Sequence, residues 1–583
     1  MEYLVNIFGW QYIQIVEHLK ILKMSHYRKI PVLLASLLVH ITTAGQPAFE
    51  ADLVLTNGKV WTVDQDNPLA EAVAIWNGRI LAVGSKKDIE KLIGSSTEVL
   101  DVKGNLVLPG FFDCHSHPES GGFHLLGVNL KDANSEEEFG RRLAETSKKL
   151  PPGAWITGGA WDHERWTSHK LPTAELIDKY VSDRPVLLTS SDTHMKVANS
   201  MALKIAGITA ETQDPPKGKI VRKPGSSEPA GVLIESASNL VSRVIPPQSK
   251  AEIRSALEAT LKEARRNGIT CLQPVDLTPT SLLIYQQLLN EGKLTARIYG
   301  FFPMPYQDQL IDLGIARNFN NNHWIAVGGI APGLDGSLGA GSALFFEPYT
   351  NDPSNSGQYL MEPKLFKQHL LEADKAHLQL AVHSIGDKST SDLFDIFAEI
   401  AEENGPRDRR FRNEHAQHLH PKDLARFVEM GVIASMMPYE AIDDGRFAEN
   451  RIGPERCKYT YAIKSLLDSN AVVAFGTDWP IAPLDGILGI YAAVTRRTLD
   501  DKNPDGWIPE QKITVEQAIE AFTLSAAYAS FWEDITGSIS PRKLADLIVL
   551  SEDIMTIDPH EIEHVKVLYT IVNGEVVYKY EGQ

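Results

Sequence analysis

Residues 106–120 read LVLPGFFDCHSHPES. A run fit for a buried strand ends in Asp113, Cys114, His115, Ser116 and His117. In extended chain, alternate side chains point the same way. His115 and His117 therefore face one side together, and Cys114 and Ser116 the other. Two neutral imidazoles on one face can share a cation, and imidazole is the commonest protein ligand for zinc.

Working outward, the same style recurs. Apolar segments GITCLQPVD, TARIYGFFP, WIAVGGIAP, LQLAVHSIGD, RFRNEHAQ, GVIASMMPY and AVVAFGTDWP are separated by helical stretches such as 249–267, 363–377, 388–404 and 421–430. Alternating β and α with continuous apolar strands implies a parallel sheet covered by helices. With NLVLPGFFDCHSH they make eight strands, the count of an α/β, TIM-like (β/α)8 barrel. Residues of about 125–250 do not fit that repeat and read as an insertion after the first barrel strand. At both ends of the chain the text is short strands and tight turns. Asn57-Gly58, Asn77-Gly78, Lys103-Gly104 and Asn573-Gly574 each signal a hairpin. The two ends, 51–104 and 541–583, are expected to form one small β-sandwich, with the barrel at 105–540.

The bulk numbers suit such a protein. At 583 residues the chain has room for a large barrel and an accessory domain. A net charge of −18, spread along the chain, argues against nucleic acid and anionic membrane surfaces. Three cysteines, Cys114, Cys271 and Cys457, make neither a disulfide framework nor a zinc-finger spacing. Before the sandwich, Arg28 and Lys29 precede an apolar run from Ile30 to about Ile41 and small residues around Ala44. That is the order of a signal peptide or signal anchor, with Met24 an alternative start, and it predicts the secretory pathway: endoplasmic reticulum, vacuole or extracellular space. The run is too short to span a bilayer comfortably, so no stable membrane span is expected after processing.

The decisive pattern is what ends the strands. The first ends in His115-x-His117, LAVH in His383, RNEH in His415 and VAFGTD in Asp478. Barrel strand C-termini converge on one mouth. Four imidazoles and a carboxylate there offer three or four ligands to a divalent metal and a group to move a proton.

The blocks GFFDCHSH, HSIGD, NEHAQ and FGTDWP, framed by ADLVLTNGKVWTVD and PRKLADLIVLSED, resemble the amidohydrolase superfamily. Within it they are similar to amidohydrolase family 3, the YtcJ-like branch that includes N-substituted formamide deformylases and plant long-after-far-red-type proteins. The resemblance runs from about Ala51 to the C-terminus. It implies His115, His117 and Asp478 as metal ligands, His383 as a further ligand, and His415 as a ligand to a second metal or a partner of the reacting water. Relatives often carry a metal-bridging Lys on the fourth strand, and the aligned position here is Ala331. One zinc ion is therefore expected, with a second or another divalent ion the alternative. The implied reaction is attack of a metal-bound hydroxide on an N-acyl or N-formyl amide, with Asp478 as proton shuttle. A deaminase or cyclic-amide hydrolase, or a catalytically silent regulatory protein, is the rival reading. The expected partner is a small-molecule amide, with a homodimer left open.

Substrate contacts follow only from position. His194, Trp161 and Asp162 lie in the insertion, expected to cap the mouth, where His194 either touches substrate or is an exposed loop histidine. Asp335 either orients a ligand or shapes an Asp-Gly turn, and Arg456 and Tyr459 sit in a loop between the last two strands. Trp155, Trp161, Trp166, Phe345 and Phe346 suggest an apolar acyl or aryl pocket, and Cys114 reads as a core residue.

Overall fold

The computed structural model describes residues 50–582 apart from 152, 191–194, 217, 318, 320 and 321. The segment at 28–44 and His194 therefore lie outside the described residues. Eight parallel strands neighbour one another in chain order. They are β1 (Phe111–Ser116), β2 (Ile269–Pro274), β3 (Arg297–Phe302), β4 (Ile325–Ile330), β5 (Gln379–Ser384), β6 (Arg412–His415), β7 (Ile433–Met436) and β8 (Val473–Phe475). β1 to β4 are buried at every residue, as strands covered on both faces must be.

Outside run helices α1 (Lys250–Arg266), α2 (Pro363–Lys375) and α3 (Asp387–Asn404). Each buries an apolar stripe at helical spacing: Ile253, Leu257 and Leu261 on α1, Phe366 and Leu370 on α2, Leu393 and Phe397 on α3. Ser249 and Glu252 form a capping box that fixes where α1 begins. Each fully buried Leu or Phe contributes about 1.5–3 kcal/mol.

The seam between β8 and β1 closes just past the strand ends. Asp478 N donates to His115 O at 2.8 Å, and His117 N donates to Trp479 O at 2.7 Å. The buried Asp113 carboxylate accepts from Thr477 N at 2.8 Å and Thr477 Oγ1 at 2.6 Å. Gly476 permits the approach, since a Cβ there would lie 2.6 Å from His115 N. Closing the barrel thus brings Asp478 against the His115-x-His117 pair.

Both chain ends build the sandwich. Leu547–Leu550 pairs antiparallel with Leu106–Pro109 in a six-stranded sheet, with Leu547 opposite Pro109. Leu53–Thr56 lies in a second, four-stranded sheet. Leu106–Pro109 belongs to the sandwich and not to the first barrel strand, and the break falls at Gly110, where a Cβ would collide with the Thr270 side chain at 2.2 Å.

Two of the four expected hairpins form, at Asn77-Gly78 and Asn573-Gly574. At Asn57-Gly58 and Lys103-Gly104 the flanking strands lie in different sheets. All four turns adopt positive φ, but at Asn57-Gly58 burial along all of Leu53–Thr56 draws that strand into the inner position of its own sheet.

The insertion forms a separate six-stranded sheet. Its order is Gly218–Arg222, Pro229–Glu235, Met195–Ala198, Leu187–Ser190, Gly158–Trp161 and Val128–Asn129. No helix among the described residues is long and apolar enough to cross a membrane.

Candidate metal centre

β1, β5, β6 and β8 deliver His115 and His117, His383, His415 and Asp478 to one cleft of about 560 Å³. One ligand atom each of His115, His415 and Asp478 lie within 4.8 Å of one another. His117 Nε2 is 3.2 Å and His115 Nε2 3.7 Å from Asp478 Oδ1. The His383 ring centroid is 4.5 Å from that of His415. Two of these residues sit in the left-handed region, His415 at φ 74° and Asp478 at φ 57°. That backbone costs on the order of 1–3 kcal/mol per residue and aims side chains where a regular strand would not.

The orientation of the two β1 imidazoles is fixed from behind. Glu414 Oε2 lies 2.7 Å from His115 Nδ1, and Asp276 Oδ2 lies 3.0 Å from His117 Nδ1. Against the pull of burial, Arg412 and His115 hold the Glu414 carboxyl down at about 2, so it is an acceptor and His115 Nδ1 carries the proton. The Nε2 lone pair is left facing Asp478. Such carboxylate–histidine pairs are how proteins orient metal ligands. Arg412 is itself fully buried, donating to Glu414 Oε1 at 2.6 Å, Gln273 Oε1 at 2.5 Å and Cys114 O at 2.6 Å.

The electrostatics favour a cation. Burial would raise the Asp478 carboxyl, but His117, His115 and His415 hold it well below the usual carboxylate range. Despite burial, Asp276 and Asp478 push His117 up to about 10. Burial, with the neighbouring His415 and His115, takes His383 down to about 3. The buried atoms His415 Nδ1 and Asp478 Oδ1 make no hydrogen bond. A divalent ion of the zinc type, which takes imidazole nitrogen and carboxylate oxygen, fits these donors.

Glu414, Asp276, Arg412 and Glu440 were missed in the sequence. Two carried a signal, for Asp276 ends the second strand segment and Glu414 stands beside His415 in RNEH. Glu440 lines the cleft from α4 (Pro438–Asp444), the helix that follows β7. Burial and its neighbours Asp478 and Asp444 push its carboxyl well above the usual range.

The expected substrate contacts fall elsewhere. Trp161 is a core residue of the insertion, its indole N–H donating to Leu188 O at 3.1 Å, and Trp166 donates likewise to Ala133 O. Asp162 pairs with Arg165 in the insertion. Asp335 is buried and accepts from the backbone N–H of Leu344, Ile385 and Gly386, which ties two loops together. Arg456 clamps a loop through the carbonyls of Ile452, Glu347 and Pro348. None of these five lines the cleft, nor do Trp155, Phe345, Phe346 or Tyr459. Its apolar wall is aliphatic instead: Val275, Leu338, Leu360, Ile385 and Ile481. No described residue of the insertion lines it either. Cys114 packs in the barrel interior with Phe112, Cys271 and Tyr299.

The amidohydrolase family matches residues 98–578. The chain is 38% identical to the protein LONG AFTER FAR-RED 3 of Arabidopsis thaliana over 541 residues, 91% of this chain and 92% of that one. It is 25% identical to an N-substituted formamide deformylase of Arthrobacter pascens over 546 residues, 91% and 99% of the two chains. The crystal structure of an uncharacterized metal-dependent hydrolase from Pyrococcus furiosus matches with a TM-score of 0.73 at 27% identity, covering 86% of this chain and 100% of that one. The chain belongs to the amidohydrolase family and is a metal-dependent hydrolase acting on carbon–nitrogen bonds.

Proposed function

We propose that the protein hydrolyses a non-peptide amide, an N-acyl or N-formyl amine, at a single tightly held zinc ion. The observation that carries this reading is the convergence of His115 Nε2 and His117 Nε2 on Asp478, each ring held from behind by a carboxylate. His115, His117 and Asp478 would hold the ion, with His415 and His383 beside it. Ala331, which lines the cleft after β4, has no donor atom to offer, and this favours one tight ion over two.

When bound, such an ion lowers the pKa of water from 15.7 to about 7 and polarises the carbonyl to be attacked. The chain's own residues supply the rest. Asp478, ionised at neutral pH, takes a proton from the attacking water and returns one to the departing nitrogen. His415 is placed to hydrogen-bond the water or the substrate oxygen. The aliphatic wall of Leu338, Leu360 and Ile481 receives the acyl or amine substituent and excludes competing water. The deformylase similarity over nearly the whole of both chains supports the formyl or acyl choice.

The test is a substrate screen of the zinc-loaded protein against formamides, acetamides, ureas and aminopurines. Turnover of N-substituted formamides or acetamides is the expected result. Turnover of aminopurines or ureas alone would overturn the amide reading.

A further inference from the structure

A second cavity, of about 100 Å³, opens at the other end of the barrel, where strands begin. It lies at Leu378 and Gln379, where β5 starts, whereas His383 sits near that strand's far end. Arg317, His377, Arg407, Asp408 and Arg409 complete its lining. They come from three connections: the one leading into β4, the turn from α2 into β5 and the loop from α3 to β6. Three guanidiniums around one small space stand out in a chain of net charge −18.

The ion pairs leave this group one anion short. Behind the lining, the buried Asp374 carboxylate serves two cations at once. Its Oδ1 accepts from Arg407 at 2.5 Å and from Arg409 Nε at 3.0 Å, and its Oδ2 accepts from Asn404 at 2.9 Å. Asp408 is engaged by Arg410, which also holds Glu533. Four guanidiniums thus meet three carboxylates, and Arg317 pairs with none among the described residues. Burial, with the repulsion of Arg409 and Arg317 and against the pull of Asp374, holds Arg407 below the ordinary guanidinium range.

Arg317 is held ready by an aromatic ring. Its guanidinium carbon lies 3.4 Å from the Phe531 ring centroid, and that of Arg410 lies 4.1 Å from the same ring. Stacking uses the flat face of a guanidinium and leaves the N–H donors on its edge free.

We infer that this pocket binds a small tetrahedral oxyanion, phosphate or the phosphoryl group of a larger ligand, between Arg317 and the Arg407–Arg409 pair. A guanidinium presents a fork of N–H donors that matches two oxygens of such an ion. The bound anion relieves the repulsion among the guanidiniums and ties the three connections together. It acts at the end of the barrel away from the metal centre, and the inference does not depend on that centre.

The test is calorimetric titration of full-length, zinc-loaded protein with inorganic phosphate and with phenyl phosphate, at constant ionic strength in chloride. Wild type should take one phosphate per chain with a Kd of about 1 mM or tighter, and should take it equally after chelation of the metal. Arg317→Gln should weaken binding at least tenfold with an unchanged circular dichroism spectrum. Arg317→Lys, which keeps the charge and loses the fork, should fall between the two. Tighter binding of inorganic phosphate would identify the free ion as the ligand, and tighter binding of phenyl phosphate a phosphoryl group on a larger one. Affinity unchanged in folded Arg317→Gln or Arg317→Lys, binding lost with the metal, or no binding of either probe would overturn the site.

Discussion

Glu414 holds His115 through one carboxylate oxygen, at 2.7 Å, and is held by Arg412 through the other, at 2.6 Å. One buried carboxylate therefore ties the barrel interior to the orientation of a metal ligand. Glu414→Gln should weaken ion binding about 10–100-fold, the usual effect of losing a partner behind a ligand. It should also cost about 3–5 kcal/mol of stability, because Arg412 is left buried without its counter-charge. Urea unfolding and ion titration on one preparation read both. Unchanged ion affinity in the variant would deny Glu414 its orienting role.

Asp478 has two roles here, ligand and proton shuttle, and an amide keeps at most the first. Asn still offers an oxygen to the ion but does not accept a proton near neutral pH. Asp478→Asn should keep the fold and an appreciable share of the ion, while turnover falls by at least roughly 10²–10⁴-fold. A loaded variant working within a few-fold of wild type would remove Asp478 from the chemistry.

Trp161 gives a test of the opposite kind. Trp161→Phe leaves the Leu188 carbonyl without its indole partner and should cost about 1–3 kcal/mol. KM should not move, because the side chain belongs to the insertion's core. A raised KM with unchanged melting would restore it to the substrate site.

Asp444 predicts a pH dependence. It is buried against Tyr461 Oη at 2.9 Å and Gln417 Nε2 at 2.6 Å, and burial pushes its carboxyl up to about 7. Between 3.8 and about 7 the folded chain holds a proton that the unfolded chain has released, so this group removes stability as pH rises through that window. Asp444→Asn keeps the acceptor oxygen and should flatten that part of the Tm profile. A slope equal to wild type would show the carboxyl to be titrating normally.

The eight strands were legible because burial on both faces leaves a continuous apolar run, and the ligands because each ends such a run. Glu440 was not, since nothing local says that a carboxylate on the helix after β7 turns toward an imidazole. Trp161 and Asp335 misled for a related reason. Their residue types suit substrate binding, but an indole N–H or a carboxylate is equally suited to a buried carbonyl or three backbone N–H groups, and only the tertiary structure chooses. Asn57-Gly58 shows the same limit for topology, because the turn sets a local φ and burial decides which sheet the next strand joins.

The central claim is that the strand ends of this barrel form a hydrolytic centre that depends on a divalent cation. The most direct measurement is the hydrolysis rate, on whichever amide the screen identifies, before chelation, after exhaustive chelation and after return of Zn2+. The rate should fall by roughly a hundredfold or more on chelation, since a bound cation contributes several kcal/mol of transition-state stabilisation, and should return with the ion. Full activity in protein stripped to well below one ion per chain would contradict the account.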